Sequence, residues 1–148
     1  MSLKVFVIED EELIRDSLEF LIKSRGHQVN SFSGPSFCHL TNLQNCHCQK
    51  KDVCADIIIT DINMPEMSGL DFLEMLQSKG CRVSCLAVMS GGWKTEELEL
   101  SKKKGYKIFH KPFDITEFIQ WLEKCEEKIL KTKKPTGELE NKKTALAT

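Results

Sequence analysis

The feature that most constrains this chain is an alternation. Short apolar, β-branched runs take turns with longer stretches of helical periodicity. Leu3–Ile8 and Asp56–Thr60 are nearly continuous in Val, Ile and Phe, as strands buried on both faces of a parallel sheet are. Val83–Met89 and Tyr106–His110 read as two more strands, and residues 28–32 alternate in the manner of a strand nearer a sheet edge.

Between the strands lie helical patterns. Ile14, Leu18, Leu21 and Ile22 fall on one stripe, and Gly26 stands where a helix stops. After a Gly34–Pro35 turn, a helix is expected from Ser36, with Phe37 and Leu40 facing inward. Ser68 and Asp71 have capping-box spacing ahead of the face Leu70, Leu73 and Leu76, closed by Gly80. Thr95 is placed to cap a fourth helix, with Glu96 and Glu97 at its positive end. That helix is weakly amphipathic, since Leu98 and Leu100 do not share a face. Asp114 with Glu117, and Phe113 with Phe118, have the spacings of a capping box and a hydrophobic staple. They open a last helix with a stripe of Ile115, Phe118, Ile119, Leu122 and Ile129.

Strand and helix repeated five times predict an α/β, doubly wound, five-stranded parallel sheet. A flavodoxin-like (βα)5 fold with strand order 2-1-3-4-5 is the expectation. At 148 residues, the chain suits one domain over 1–130, with a polar, lysine-rich tail over 131–148 expected to be a disordered tail or linker. A formal net charge of −1 gives no basic stripe for nucleic acid. No run is long and apolar enough for a membrane span, and the N-terminus lacks a signal-peptide layout. An odd count of seven cysteines without framework spacing argues against a secreted disulfide scaffold and for a cytoplasmic location.

In such sheets, sites form beyond the carboxyl ends of the strands. The first strand delivers Glu9 and Asp10, the third Asp61, the fourth Ser90 and the fifth Lys111. In the expected order these strands are neighbours. Crowded carboxylates repel and raise one another's pKa, and a divalent cation relieves them. Oxygen donors without Cys or His favour Mg2+. An aspartate can be a nucleophile that becomes an aspartyl phosphate. Phosphoryl transfer then needs positive charge, which Mg2+ and Lys111 supply, and a donor such as the Ser90 hydroxyl.

With these residues in view, the chain resembles response-regulator receiver domains of two-component signalling, of the chemotaxis-regulator type. The matching pieces are residues 7–11 (Val-Ile-Glu-Asp-Glu), residues 59–65 (Ile-Thr-Asp-Ile-Asn-Met-Pro), Ser68–Gly69–Leu70, Val88–Met89–Ser90–Gly91 and Lys111–Pro112–Phe113. The resemblance implies Asp61 as phosphoacceptor and Asp10 as direct Mg2+ ligand, with Glu9 beside it and the Asn63 backbone carbonyl as a further ligand. It implies Ser90 as the switch hydroxyl, Lys111 as the lysine that pairs with the acceptor, and a cis peptide before Pro112. The implied partners are a histidine kinase or histidine phosphotransfer protein, and a downstream effector met through the fourth helix, fifth strand and last helix. A homodimer is left open, as is whether the regulator stands alone or has an output domain beyond the tail. The domain would assist its own phosphorylation and dephosphorylation without turning over an external substrate. Three departures stand out: Glu9 in place of the usual Asp, a long connection across 41–54, and Ile108 where the family often has a switching aromatic. Phe109 beside it is expected on the other face.

Two other readings compete. An aspartate-nucleophile phosphatase would need a second aspartate where Asn63 stands. A docking module that never takes phosphate is favoured only by Ile108. Cys38, His39, Cys46, His47, Cys48 and Cys54 invite a zinc reading. Cys46-x-Cys48 is tighter than common zinc spacings and no second well-spaced pair follows, so a variable loop with reduced cysteines is the expectation.

Overall fold

The computed structural model describes residues 2–38, 41, 48 and 53–133. The chain divides into two compact units, Met1–Phe113 and Asp114–Thr148. The first holds one sheet of five parallel strands in the order β2-β1-β3-β4-β5. Its strands are β1 (Lys4–Ile8), β2 (Gln28–Phe32), β3 (Ile57–Asp61), β4 (Cys85–Ser90) and β5 (Lys107–His110). Its helices are α1 (Glu12–Lys23), α2 (Gly69–Ser78) and α3 (Thr95–Lys104).

The apolar runs take the centre, as their composition requires. Every residue of β3 is buried, as is all of β1 after Lys4, while the edge strands β2 and β5 are only partly covered. Alternate side chains serve the two faces. Phe6, Ile8, Ile58 and Val88 point to one side and pack in a cluster with Leu70, Leu73 and Leu76 of α2. Val5, Val7, Ile57, Ile59, Ala87 and Met89 are directed to the other. On α1, Leu18 and Ile22 are fully buried and so anchor the expected stripe.

Beside β1 and β3, buried polar groups close the amino ends of the sheet. Asp56 accepts the Lys4 N–H at 2.8 Å, and His27 Nδ1 accepts the Leu3 N–H at 3.1 Å. At the start of α2, Ser68 Oγ accepts the Asp71 N–H at 3.1 Å, the cap its spacing predicts.

Several expectations need correction. The helix expected from Ser36 is a single 3-10 turn, Pro35–Phe37. Cys38 leaves it in extended backbone, and Phe37 is 66% exposed instead of facing inward. Leu40 lies outside the described residues. Thr95 does not cap α3 but is its first residue; the N-cap is Lys94, whose N–H is accepted by Glu97 Oε1 at 3.0 Å. Of α3, Ser101 alone is buried, which matches its weak amphipathicity. At its end Gly105 takes φ +78°, a left-handed conformation open to glycine at little cost.

The second unit is described as one helix, α4 (Ile115–Lys133). Asp114 caps it, with Oδ1 accepting the Thr116 N–H at 2.7 Å. Phe118, Leu122, Cys125 and Ile129 are buried at helical spacing, but Ile115 is 59% exposed because it occupies the first helical position rather than the stripe. Most of the tail, from residue 134, lies outside the described residues. Among the described residues no helix is long and apolar enough to cross a membrane.

Of the described glycines, Gly69 has the least room for a side chain. A Cβ built there would meet the Asp61 carbonyl oxygen at 2.1 Å. Gly69→Ala must therefore push β3 and α2 apart, and is expected to lower unfolding stability by about 1–3 kcal/mol, the usual cost of overpacking. Urea denaturation measures this; an unchanged midpoint would show that the contact yields without cost.

Candidate acidic pocket at the strand ends

The register of the sheet assembles the site. Ile8 pairs with Thr60 and Asp61 with Met89, so Glu9 and Asp61 emerge side by side from β1 and β3. Ser90 pairs with His110, and the Lys111 N–H continues that ladder to the Ser90 carbonyl at 2.9 Å. Lys111 therefore leaves β5 level with Ser90. The Lys111–Pro112 peptide is cis. Asp10, Asp61, Asn63, Gly91 and Lys111 line one open pocket together with Glu11 and Ile14.

Glu9, Asp10 and Asp61 each bring a carboxylate oxygen to within 4.8 Å of the others. Glu9 and Asp61 are buried, Asp10 exposed. Among the described residues, Lys111 is the cation paired with Glu9 and Asp61. Lys111 Nζ donates to Glu9 Oε1, lies 3.2 Å from Asp61 Oδ2 and 3.6 Å from Glu11 Oε1. A second Asp61 oxygen accepts the Asn63 N–H at 3.3 Å. Ser90 Oγ accepts two bonds, from Asn63 Nδ2 at 3.0 Å and from the Gly92 N–H at 3.1 Å. A hydroxyl that accepts two bonds keeps its own proton as a donor.

Burial, more than any neighbour, pushes the Glu9 carboxyl from 4.5 up to about 8; the Lys111 hydrogen bond opposes this and the adjacent Asp61 charge adds to it. Burial pulls the Lys111 ammonium down, but Glu9 and Asp61 together outweigh it and hold the lysine above its ordinary value. Among the described residues, Glu9 Oε2 is buried and meets no hydrogen-bond partner. An orphaned buried oxygen is costly. In a cluster of oxygen donors it marks a place that suits a hard divalent cation such as Mg2+.

The sequence-predicted residues Glu9, Asp10, Asp61, Asn63, Ser90 and Lys111 thus converge at one end of the sheet. Sequence reasoning gave no role to Glu11, which shares Lys111, or to Arg15, whose Nη1 donates to the Glu9 carbonyl at 2.8 Å. Arg15 sits one turn into α1, and only its proximity to the acidic run hinted at a role. Ile108 packs on the α2 side of the sheet. Phe109 is buried, lies across from Phe113 with ring centroids 6.1 Å apart, and so takes the opposite face as expected.

Pocket and sheet together define a class of phosphate-signalling domain, and comparison with known proteins agrees. The response regulator receiver domain profile matches residues 5–123, and the chain belongs to that family. It is 31% identical over 114 residues to the transcriptional regulatory protein FixJ of Azorhizobium caulinodans, covering 76% of this chain and 50% of the relative. It is 28% identical over 116 residues to the response regulator protein TodT of Pseudomonas putida, covering 78% and 47%. A crystal structure of a response regulator receiver protein from Pseudomonas putida superposes with a TM-score of 0.70 at 26% identity, covering 84% of this chain and 98% of the other. The chain spans about half the length of the curated relatives named here. It is a receiver domain of two-component signal transduction, a signalling domain.

The raised Glu9 pKa sets a pH dependence in cation-free buffer. Between its ordinary value of 4.5 and about 8, folded Glu9 holds a proton that the unfolded chain releases. Stability attributable to Glu9 is therefore full below the lower value and falls as pH rises to the upper one, by at most about 1.4 kcal/mol per pH unit. Glu9→Gln should flatten this slope in urea titrations from pH 5 to 8. Equal slopes in both proteins would refute the assignment.

Proposed function

We propose that this receiver domain takes a phosphoryl group on Asp61 from a phosphohistidine donor and switches its surface in response. The observation that carries the reading is the placement of the buried Asp61 carboxylate beside both Lys111 and two further carboxylates at the strand ends. An Asp61 oxygen bonds to phosphorus as the donor's P–N bond breaks, and that electron pair returns to the imidazole nitrogen. Lys111, which balances Asp61 beforehand, pairs afterwards with the phosphoryl oxygens, and Ser90 donates its hydroxyl proton as a hydrogen bond. Glu9, Asp10, Asp61 and the Asn63 carbonyl are the residues that would hold Mg2+, which supplies compensation for charge on the transferring phosphoryl group. Attack of water on phosphorus later restores the Asp61 carboxylate and releases phosphate. A histidine kinase or phosphotransfer protein is the donor, and the effector reads the surface of α3 and β5. Residues 1–130 act as the receiver and 131–148 as a tail or linker. The phosphoryl group shifts a conformational equilibrium only by its different interactions in the two states.

Intact-mass spectrometry after incubation with Mg2+ and acetyl phosphate tests the reading. One phosphoryl adduct is expected, dependent on Mg2+ and missing in Asp61→Asn. No adduct, together with no beryllofluoride binding by the folded wild type, would leave a docking module in its place. Asp10→Asn should weaken Mg2+ binding by about 10-fold or more in calorimetric titration. An unchanged affinity would remove Asp10 from the ligand set.

A further inference from the structure

At the other end of the sheet lies a second group of ligating side chains that the acidic pocket does not use. Cys48 and Cys54 precede β3, and Cys81 lies in the connection between α2 and β4. Their three sulfurs all fall within 4.8 Å of one another. Cys54 Sγ lies 3.2 Å from Cys81 Sγ, and Cys48 Sγ lies 3.4 Å from Cys54 Sγ. Two backbone N–H groups, of Cys54 and Arg82, each donate to Cys48 Sγ at 3.3 Å. Such donors stabilise sulfur that carries negative charge.

We propose that Cys48, Cys54 and Cys81 bind one Zn2+ as thiolates and tie the connection ahead of β3 to the start of β4. The grouping of three sulfurs favours a metal over a disulfide. A disulfide draws two sulfurs to about 2.05 Å and leaves the third out. A tetrahedral zinc with Zn–S near 2.3 Å holds its sulfurs about 3.8 Å apart and uses all of them. Observed separations of 3.2 and 3.4 Å, with three sulfurs grouped, need only a small expansion to accept the ion. Thiolate donors select soft or borderline metals, so the site would not compete with the oxygen pocket for Mg2+. Each thiol gives up its proton on binding, and the two N–H donors to Cys48 offset part of the charge. β3 separates the two sites, with Asp61 at its carboxyl end. Spacing in the sequence did not show this set, because Cys81 stands 27 residues beyond Cys54.

The full chain, purified without chelator, should hold about one Zn2+ per molecule by elemental mass spectrometry. Cys54→Ser and Cys81→Ser should each reduce this to below about a tenth, while beryllofluoride binding at the acidic pocket continues. Should either variant fail to fold, alkylation of the wild type decides. Removing zinc should speed modification of Cys48, Cys54 and Cys81 by about 10-fold and leave Cys38, Cys85 and Cys125 unchanged. A wild type that neither carries nor takes up Zn2+, or that loses two hydrogens to a Cys54–Cys81 disulfide with zinc present, would overturn the proposal.

Discussion

Three carboxylates held at one end of a parallel sheet repel each other, and the rest of the site is arranged around that repulsion. Glu9 and Asp10 are neighbours in sequence; the pairing of β1 with β3 brings Asp61 to them, and that pairing is driven by the apolar residues behind them. Hydrophobic burial therefore supplies the free energy that crowds the charges. Lys111 relieves part of the repulsion, and burial raises the Glu9 carboxyl so that it favours its neutral form. Such a pocket keeps an excess of negative charge, which suits a hard cation.

The remaining structure keeps these groups from relaxing apart. Arg15 ties the Glu9 backbone to α1, and the Ser90 carbonyl ties Lys111 to β4. Asn63 bridges Asp61 and Ser90, donating its backbone N–H to one and its side-chain amide to the other. The hydroxyl and the carboxylate are thereby linked through one residue of the loop after β3. The Asp61 charge bears directly on the first of these bonds.

Much of this was legible in the sequence because the strands are unusually pure. Runs such as Ile57–Ile59 have few alternatives to a central parallel strand, and the residue that ends each run is where open sheets place their chemistry. Asp61, Ser90 and Lys111 followed from that rule. The misses have local causes. Phe37 looked like a core residue because apolar character carries no information about whether a helix continues past a Pro-initiated turn. Ile115 matched the helical period yet fell on the first turn, ahead of the stripe. Arg15 acts on the Glu9 backbone carbonyl, which no side-chain motif marks, and Cys81 meets Cys54 across 27 residues of sequence.

The two sides of Asp61 differ in how far they can give way. Toward α2 the backbone is jammed: the Asp61 carbonyl lies against Gly69, whose N–H is held by the Ile62 carbonyl at 3.0 Å. Toward α3 the turn after Ser90 passes through Gly91 and Gly92, both exposed, with open space around the Gly92 backbone. Asp61 therefore has close backbone packing on its α2 flank and open space on its α3 flank, where the Gly92 N–H bond to Ser90 Oγ at 3.1 Å ties the turn back to the site.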